Sequence, residues 1–489
     1  MKPLSFNEIR AIVGGRPLSA APETELFLRR VCSDTRALSA SATLTGTAGT
    51  AVAGCLFVAI KGENHDANDF VPQLRSPEVA MALVEKEVSP LPAGVYVLQV
   101  GSTRAAMGKI AAHVRSKLTS QVIAVGGSNG KTSTKHLIDA ALRRKLRGSV
   151  SPKSFNNDIG VPTTLFSHDP TLDYIVLEMG TNHHGELKVL SDMAEPDIAV
   201  ITSISHEHLE GLGDLTGVRR EESTIISGLR PKGLLVVNGD DPELMPFLAP
   251  HKGPRVTFGF GSHNDLYATD VRVGADGTRF KLNNNSRREV FVPLLGRHSA
   301  SNALAAIAVA RKLGLNEDEV FDALAHATGP EMRQELRDIG GISVLNDAYN
   351  ANPASVRAAL ETMMAVAPPS SGRRVAVLGE MRELGEASDA LHREVGEGLA
   401  GLALDWLVFV GEKAKLTRAA AIASGVPTAC TKWFESSDAA AGFVTKKVAR
   451  GDMLLLKGSR GVRLERISEA LKALHEPASL PTATKRAAG

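Results

Sequence analysis

The chain has 489 residues, 43% apolar and 22% charged, enough for roughly two to four soluble globular domains with cores of their own. A formal net charge of only +2 argues against a general nucleic-acid or membrane-surface binder. Three cysteines, Cys32, Cys55 and Cys430, are too few and too scattered for a disulfide framework or a zinc site.

The opening MKPLSFNEIRAIVGG puts Asn7, Glu8 and Arg10 where a signal peptide would need an apolar run. No stretch approaches the roughly 18 apolar residues of a membrane span, so a cytoplasmic protein is expected. A first unit of mixed α/β character runs to residue 117, dense in Gly, Ala and Thr between 37 and 54. A central unit, 118–329, follows. Its expected strands are 121–125 (QVIAV), 173–178 (DYIVLE), 197–204 (DIAVITSI) and 233–238 (GLLVVN). Helical patterns lie between them, as in TSTKHLIDAALRRKL, where Leu137, Ile138, Ala141 and Leu142 share a face. Strand and helix in alternation predict a parallel sheet covered on both faces. Residues 255–293 alternate like strands around GSHN, GADG and NNNS and read as a β-insertion, after which GRHSASNALAAIAVARKLG returns to helix.

Gly329-Pro330 is a plausible hinge to a second alternating block, 330–475. Its expected strands are 343–347, 374–379, 405–411 and 453–458, which predict a Rossmann-like domain. The end of the chain, 476–489, lacks apolar periodicity and is expected to be a mobile tail. The fold class expected is therefore α/β in three domains, the central one of P-loop type with a β-insertion.

The stretch AVGGSNGKTSTK, 124–135, ends a strand in a glycine turn and opens a helix. Unpaired N–H groups at such a helix start, with the helix dipole, make an anion pocket. Gly127, Ser128, Asn129, Gly130, Lys131, Thr132 and Ser133 are the expected ATP contacts. Lys131 would reach the β/γ-phosphates and the Thr132 hydroxyl would sit on Mg²⁺. The spacing is shorter than the full G-x-x-x-x-G-K-[ST], since Val125 stands where the first glycine would be. Glu178 ends the apolar strand YIVLE, so it should emerge beside the loop at the carboxyl edge, where α/β proteins bind ligands. A structural turn glutamate is the alternative. His208, in SHEHLEGLG, is on its own more often a satisfied surface or core histidine than a ligand, and imidazole is not a preferred Mg²⁺ donor.

Six further stretches stand beside the loop: SDTR (33–36), GCLFVAIKGENHDANDF (54–70), SFNNDIGVPTTLF (154–166), LNDAYNANPASVRAAL (345–360), VLGEMRELGEASDALHREVG (377–396) and LLLKGSRGVRLE (454–465). Together they resemble the Mur ligases over nearly the whole chain. The resemblance implies an ATP- and Mg²⁺-dependent amide ligase of peptidoglycan precursor synthesis, most similar to the member that joins D-alanyl-D-alanine to UDP-N-acetylmuramoyl-tripeptide. It implies a first domain for the UDP-muramoyl substrate, a central one for ATP, and a third that closes over both. It also implies metal-site roles for Thr132, Glu178 and His208. Asn302 would lie near the adenine, and Arg333 and Asp347 would reach the nucleotide on closure. Ser33 and Arg36 would meet the uridine diphosphate, Arg36 being alternatively an ordinary surface charge. Asn156 and Asn157 match a substrate-facing loop. Tyr349, Asn352 and Lys457, in DAYNAN and KGSRG, fall where the dipeptide is expected. A monomer is expected.

Two departures from the family pattern stand out. His298 is followed by Ser299 where the family has Asn. In GVRREESTIISGL, 217–229, Glu222 stands where Mur ligases usually carry a carbamylated lysine, with Glu221 beside it and no lysine in the segment. A carbamylated lysine is electrically a long carboxylate, so Glu222 is expected to supply that charge permanently, as a catalytic and metal-site residue with Lys131, Glu178 and His208. Alternatively, both glutamates are solvated helix charges. Rival readings are the tripeptide-forming Mur ligase, folylpolyglutamate synthetase, a non-catalytic nucleotide switch and a kinase. DAYNANPAS and LGEMRELG speak against the first two.

Overall fold

The computed structural model describes residues 1–22, 26–38, 54–76, 78–283, 285–366 and 372–475. The expected tail, 476–489, and most of the Gly-, Ala- and Thr-dense stretch lie outside the described residues. The chain forms two compact units. One takes Met1–Ser203, Arg219–Asp265 and Ala305–Ala323; the other takes Ile204–Val218, Leu266–Leu304 and the chain from Leu324 onward.

In the first unit, the N-terminal region builds a five-stranded sheet in the order Arg16–Pro17, Tyr96–Gln99, Val79–Val84, Cys55–Val58, Val31–Cys32. All but the first strand run parallel. The fully buried Arg115, near the end of the helix Thr103–Ser116, binds the carbonyls of Ala194 (2.7 Å) and Glu195 (2.8 Å) and the carboxylate of Asp197 (2.9 Å). Asp197 also accepts from the Val122 amide at 2.9 Å, so this one guanidinium locks the N-terminal region onto the start of the central sheet.

That central sheet is parallel, in the order Arg255–Gly259, Leu234–Asn238, Ile198–Ile201, Gln121–Gly126, Tyr174–Glu178, Gly148–Val150. Val122 to Val125 and Tyr174 to Leu177 are wholly buried, as runs covered on both faces must be. Each such aliphatic side chain contributes about 1.5–3 kcal/mol over leaving it in water. The first strand of this sheet lies between the third and the fourth, so strand order reverses at Gln121–Gly126. Such a switch point opens a crevice at the carboxyl edge, where ligands bind. Arg255–Gly259 belongs to this parallel sheet. The expected β-insertion is correspondingly shorter, an antiparallel meander of Leu266–Gly274, Gly277–Leu282 and Asn285–Val292 in the second unit.

The second unit's main sheet runs Glu335–Ile339, Ile342–Asp347, Met453–Lys457, Arg374–Gly379, Trp406–Val410, Thr431–Phe434. Only the Glu335–Ile339 edge is antiparallel. Apolar clusters cover both faces, one around Leu345, Met363 and Phe409, the other around Val344, Val408 and Leu454.

Candidate functional site: the phosphate loop and its carboxylates

The strand Gln121–Gly126 ends in the loop 127–130, and the helix Lys131–Leu142 starts at once. Gly127 (φ 111°) and Gly130 (φ 87°) both need the left-handed region. At Gly127 a side chain is excluded twice over, because a Cβ would lie 2.3 Å from Thr202 Oγ1. Thr202 and Ser203, just past the neighbouring strand, brace the loop. The Ser128 amide donates to the Ser203 carbonyl (2.7 Å), and Thr202 Oγ1 donates to the Asn129 carbonyl (2.6 Å). No side chain caps the helix at Gly130, which leaves the first turn's amides to an anion. Lys131 Nζ lies over its own loop, donating to the carbonyls of Gly127 (2.5 Å) and Ser128 (3.1 Å). Thr132 Oγ1, one residue on, is buried and receives no hydrogen bond.

Glu178 emerges where its strand position predicts. It pairs in register with Val125, and the Met179 amide donates to the Val125 carbonyl at 2.9 Å. Its carboxylate is buried, with Oε1 accepting from Asn156 Nδ2 (3.3 Å) and the Glu178 amide donating to Ser151 Oγ (2.8 Å). Oε2 lies 3.0 Å from Lys135 Nζ in an ion pair yet receives no directed hydrogen bond. Thr132 Oγ1 and Glu178 Oε2 are thus two buried oxygens with lone pairs to spare, both hard donors of the kind Mg²⁺ selects. Among the described residues, no group of three or more His, Cys, Asp or Glu side chains could hold a metal alone.

Neither glutamate of the 217–229 segment is a solvated charge. Glu222 is buried, and its Oε2 accepts from the Gly127 amide at 2.7 Å, tying it to the phosphate loop. Glu221, also buried, caps the helix Glu186–Ala194, accepting from the amides of Gly185 (2.7 Å) and Leu187 (2.9 Å) and from Thr181 Oγ1 (3.1 Å). The helix has only glycine at its own cap position, so Glu221 supplies the missing acceptor.

His208 belongs to the second unit. Its Nδ1 stands 2.5 Å from Glu383 Oε2 and its Nε2 3.6 Å from Glu207 Oε1. Glu207 in turn accepts from Asn350 Nδ2 (3.1 Å), in the DAYNAN stretch. There the Arg333 guanidinium lies 4.2 Å from the Tyr349 ring centroid, and Lys457 Nζ binds Asp347 (2.8 Å) and the Asn350 carbonyl (2.9 Å). Asn302 Nδ2, in the helix Arg297–Lys312, is buried without a partner.

Comparison with known proteins decides the family. Residues 125–310 match the Mur ligase middle domain and 332–460 the Mur ligase, glutamate ligase domain. A UDP-N-acetylmuramoyl-tripeptide–D-alanyl-D-alanine ligase from Bacillus subtilis is 34% identical over 85% of this chain and 90% of its own. The chain belongs to the Mur ligase family. MurF from Acinetobacter baumannii superposes on this Mur ligase with a TM-score of 0.84 at 29% identity, covering 96% of this chain and 99% of that one. MurF ligase from Thermotoga maritima in complex with ADP does so at 0.77 and 25% identity, over 87% and 96%.

Several residues singled out from the sequence of this Mur ligase have internal partners. Asn157 Oδ1 caps the helix Gly160–Ser167 through the Gly160 amide (2.9 Å), and Asn352 caps Pro353–Ala365. Ser299, the departure after His298, donates its hydroxyl to the Leu295 carbonyl (2.7 Å). Arg36 is exposed and pairs through Nη2 with its neighbour Asp34 (2.7 Å), beside Ser33. Sequence reasoning missed Lys135, although a signal was present. It shares a helix face with the buried Ile138 and Leu142, where a lysine must have a buried partner.

Proposed function

We propose that this Mur ligase joins D-alanyl-D-alanine to UDP-N-acetylmuramoyl-tripeptide with ATP. The γ-phosphoryl group passes to the tripeptide's terminal carboxylate and ADP leaves. The dipeptide's amine then attacks the acyl carbon, loses its proton, and displaces phosphate, which departs with the electrons of the broken C–O bond. Carboxylate and amine alone would not react, because oxide is a poor leaving group. The observation that carries the reading is the phosphate loop at the switch point with Glu178 in register beside it.

In this reading Gly127, Ser128, Asn129, Gly130 and Ser133 line the phosphates. The amides of Gly127 and Ser128 stay on Glu222 and Ser203 to hold the loop's shape while the start of the helix faces the anion, and Lys131 swings from its loop carbonyls onto the γ-phosphoryl group. Thr132, Glu178 and His208 would hold Mg²⁺. When bound, Mg²⁺ supplies positive charge that lets phosphate and acceptor carboxylate approach despite their like charges. Glu222 keeps a permanent negative charge against the loop, so no carbamylated lysine is needed there. Asn302, with its spare amide donor, faces the adenine, and Arg333 and Asp347 meet the nucleotide on closure. Closure excludes water that would hydrolyse the acyl phosphate. Ser33 and Arg36 take the uridine diphosphate, Asn156 and Asn157 the peptide, and Tyr349, Asn352 and Lys457 border the dipeptide. The domains carrying these roles are 1–117, 118–329 and 330–475. No helix among the described residues is long and apolar enough to cross a membrane, in keeping with work on cytoplasmic substrates.

The test is ADP release measured with each acceptor alone and with both. ADP formation and amide product should appear only with both. ATP turnover indifferent to the pair would overturn the assignment.

A further inference from the structure

One buried cation at this site is not accounted for by phosphate binding. Lys135 sits one helical turn beyond Lys131, its side chain wholly removed from solvent. Its ammonium donates to the Ser151 carbonyl (2.9 Å) and to that of Lys153, a residue held at φ 48°, and faces Glu178 Oε2 at 3.0 Å. Its surroundings therefore fix it rigidly. Two carbonyls of the 151–153 turn aim it, and the carboxylate it meets is the one beside the phosphate loop.

We propose that Lys135 is a positioning residue that takes the electrostatic place of a divalent cation at Glu178, so that the cation binds there only together with nucleotide phosphates. The inference rests on Glu178 being a cation ligand. A carboxylate this deeply buried would be strongly destabilising without a compensating charge, and Lys135 provides one while the site is empty of metal. A bare dication approaching Oε2 then meets a carboxylate already neutralised, with a fixed like charge behind it. Phosphates arriving with the dication bring negative charge that offsets both cations. Lys135 would thus couple metal binding to nucleotide binding without touching the nucleotide.

The experiment is titration of the full-length, nucleotide-free protein with Mn²⁺ alone, followed by the electron paramagnetic resonance signal of the free ion. Lys135→Met should bind Mn²⁺ at least about tenfold more tightly than the unaltered protein. The gain should vanish in the Lys135→Met/Glu178→Gln double variant. ADP should strengthen Mn²⁺ binding strongly in the unaltered protein and much less in Lys135→Met. A purely structural lysine would lower the melting temperature and leave Mn²⁺ affinity where it was, which would overturn the proposal. If Lys135→Met does not stay folded without metal, recovery of a cooperative melt in millimolar Mg²⁺ supports it; equal instability with and without Mg²⁺ overturns it. Glu178→Gln separates the two readings. If, with ADP present, this variant binds Mn²⁺ like the unaltered protein, Glu178 is not a ligand.

Discussion

His208 Nδ1 stands 2.5 Å from Glu383 Oε2, and both residues hold left-handed backbone angles, 54° and 63°. Two non-glycine residues in that region, facing each other, store strain that their surroundings must sustain. The imidazole also keeps the Glu383 carboxyl below its ordinary range. Glu383 therefore fixes the ring's orientation. Glu383→Ala should lower kcat by about 10- to 100-fold with the KM for ATP nearly unchanged, while Glu383→Gln, which still accepts from Nδ1, keeps most activity. Steady-state kinetics of both variants decide it, and an unaffected kcat in Glu383→Ala would remove the pair from the mechanism.

Thr132 offers a cleaner separation of stability from catalysis. Its hydroxyl is buried and unpartnered, so the isosteric Thr132→Val removes a polar atom that contributes nothing to the fold. Stability should stay within about 1 kcal/mol or rise. Activity should fall by about 10²–10³ if the hydroxyl meets the cation that offsets phosphate charge. Thermal melts beside kcat measure both, and retained activity would refute the role.

Glu222 makes a different prediction, because its contact is to the backbone of the loop. Glu222→Ala strands the Gly127 amide and frees the loop, so the KM for ATP should rise about tenfold, the cost of one buried hydrogen bond. Glu222→Gln keeps an acceptor there and should stay within about threefold of normal in KM. The residual effect of Gln on kcat then reports the charge alone. Depleting bicarbonate should leave the unaltered protein fully active, since no lysine in 217–229 awaits CO₂.

The central and C-terminal sheets were legible because their strands are buried on both faces and read as short β-branched runs. RVAVLG is a strand over Arg374–Gly379, residue for residue, and DYIVLE loses only its first residue. Gly148–Val150 escaped notice because three residues, one of them glycine, carry no periodicity. Arg255–Gly259 reads as part of the insertion because RVTFG alternates polar and apolar residues, whereas the strand pairs in parallel with Leu234–Asn238. Glu178 could be placed from its strand end alone. That Lys135 needs a buried partner is legible from its helix face, but not that the partner is Glu178, because an ion pair spanning 43 positions (178 − 135) is fixed by tertiary packing that no local pattern encodes. The same holds for Glu221 and Glu222. Adjacent in sequence and identical in type, they serve a helix start and a phosphate loop.

The remaining prediction concerns pH and lies away from the chemistry. His168 is buried, its Nε2 at 2.9 Å from Ser120 Oγ and its Nδ1 at 2.7 Å from Ser149 Oγ. Ser120 donates its own proton to the Leu172 carbonyl (2.6 Å), so it accepts from Nε2–H, and Ser149 donates to Nδ1. That arrangement satisfies a neutral ring and has no place for a second proton. Burial pushes the pKa from 6.5 down to about 4. Between those values the unfolded chain binds a proton that the folded protein refuses, so stability rises with pH through this window. The contribution is complete above pH 6.5 and is lost as pH falls toward 4, amounting to about 3 kcal/mol at the limit. Burial lowers the pKa of His298 and His392 as well, so His168→Gln removes one contribution beside theirs, and its urea midpoint should change less between pH 6.5 and 5 than that of the unaltered protein. Carboxylates contribute little above pH 5, which makes that interval the informative one. Parallel slopes for the two proteins across it would mean that the His168 ring accepts a proton inside the fold as readily as in water.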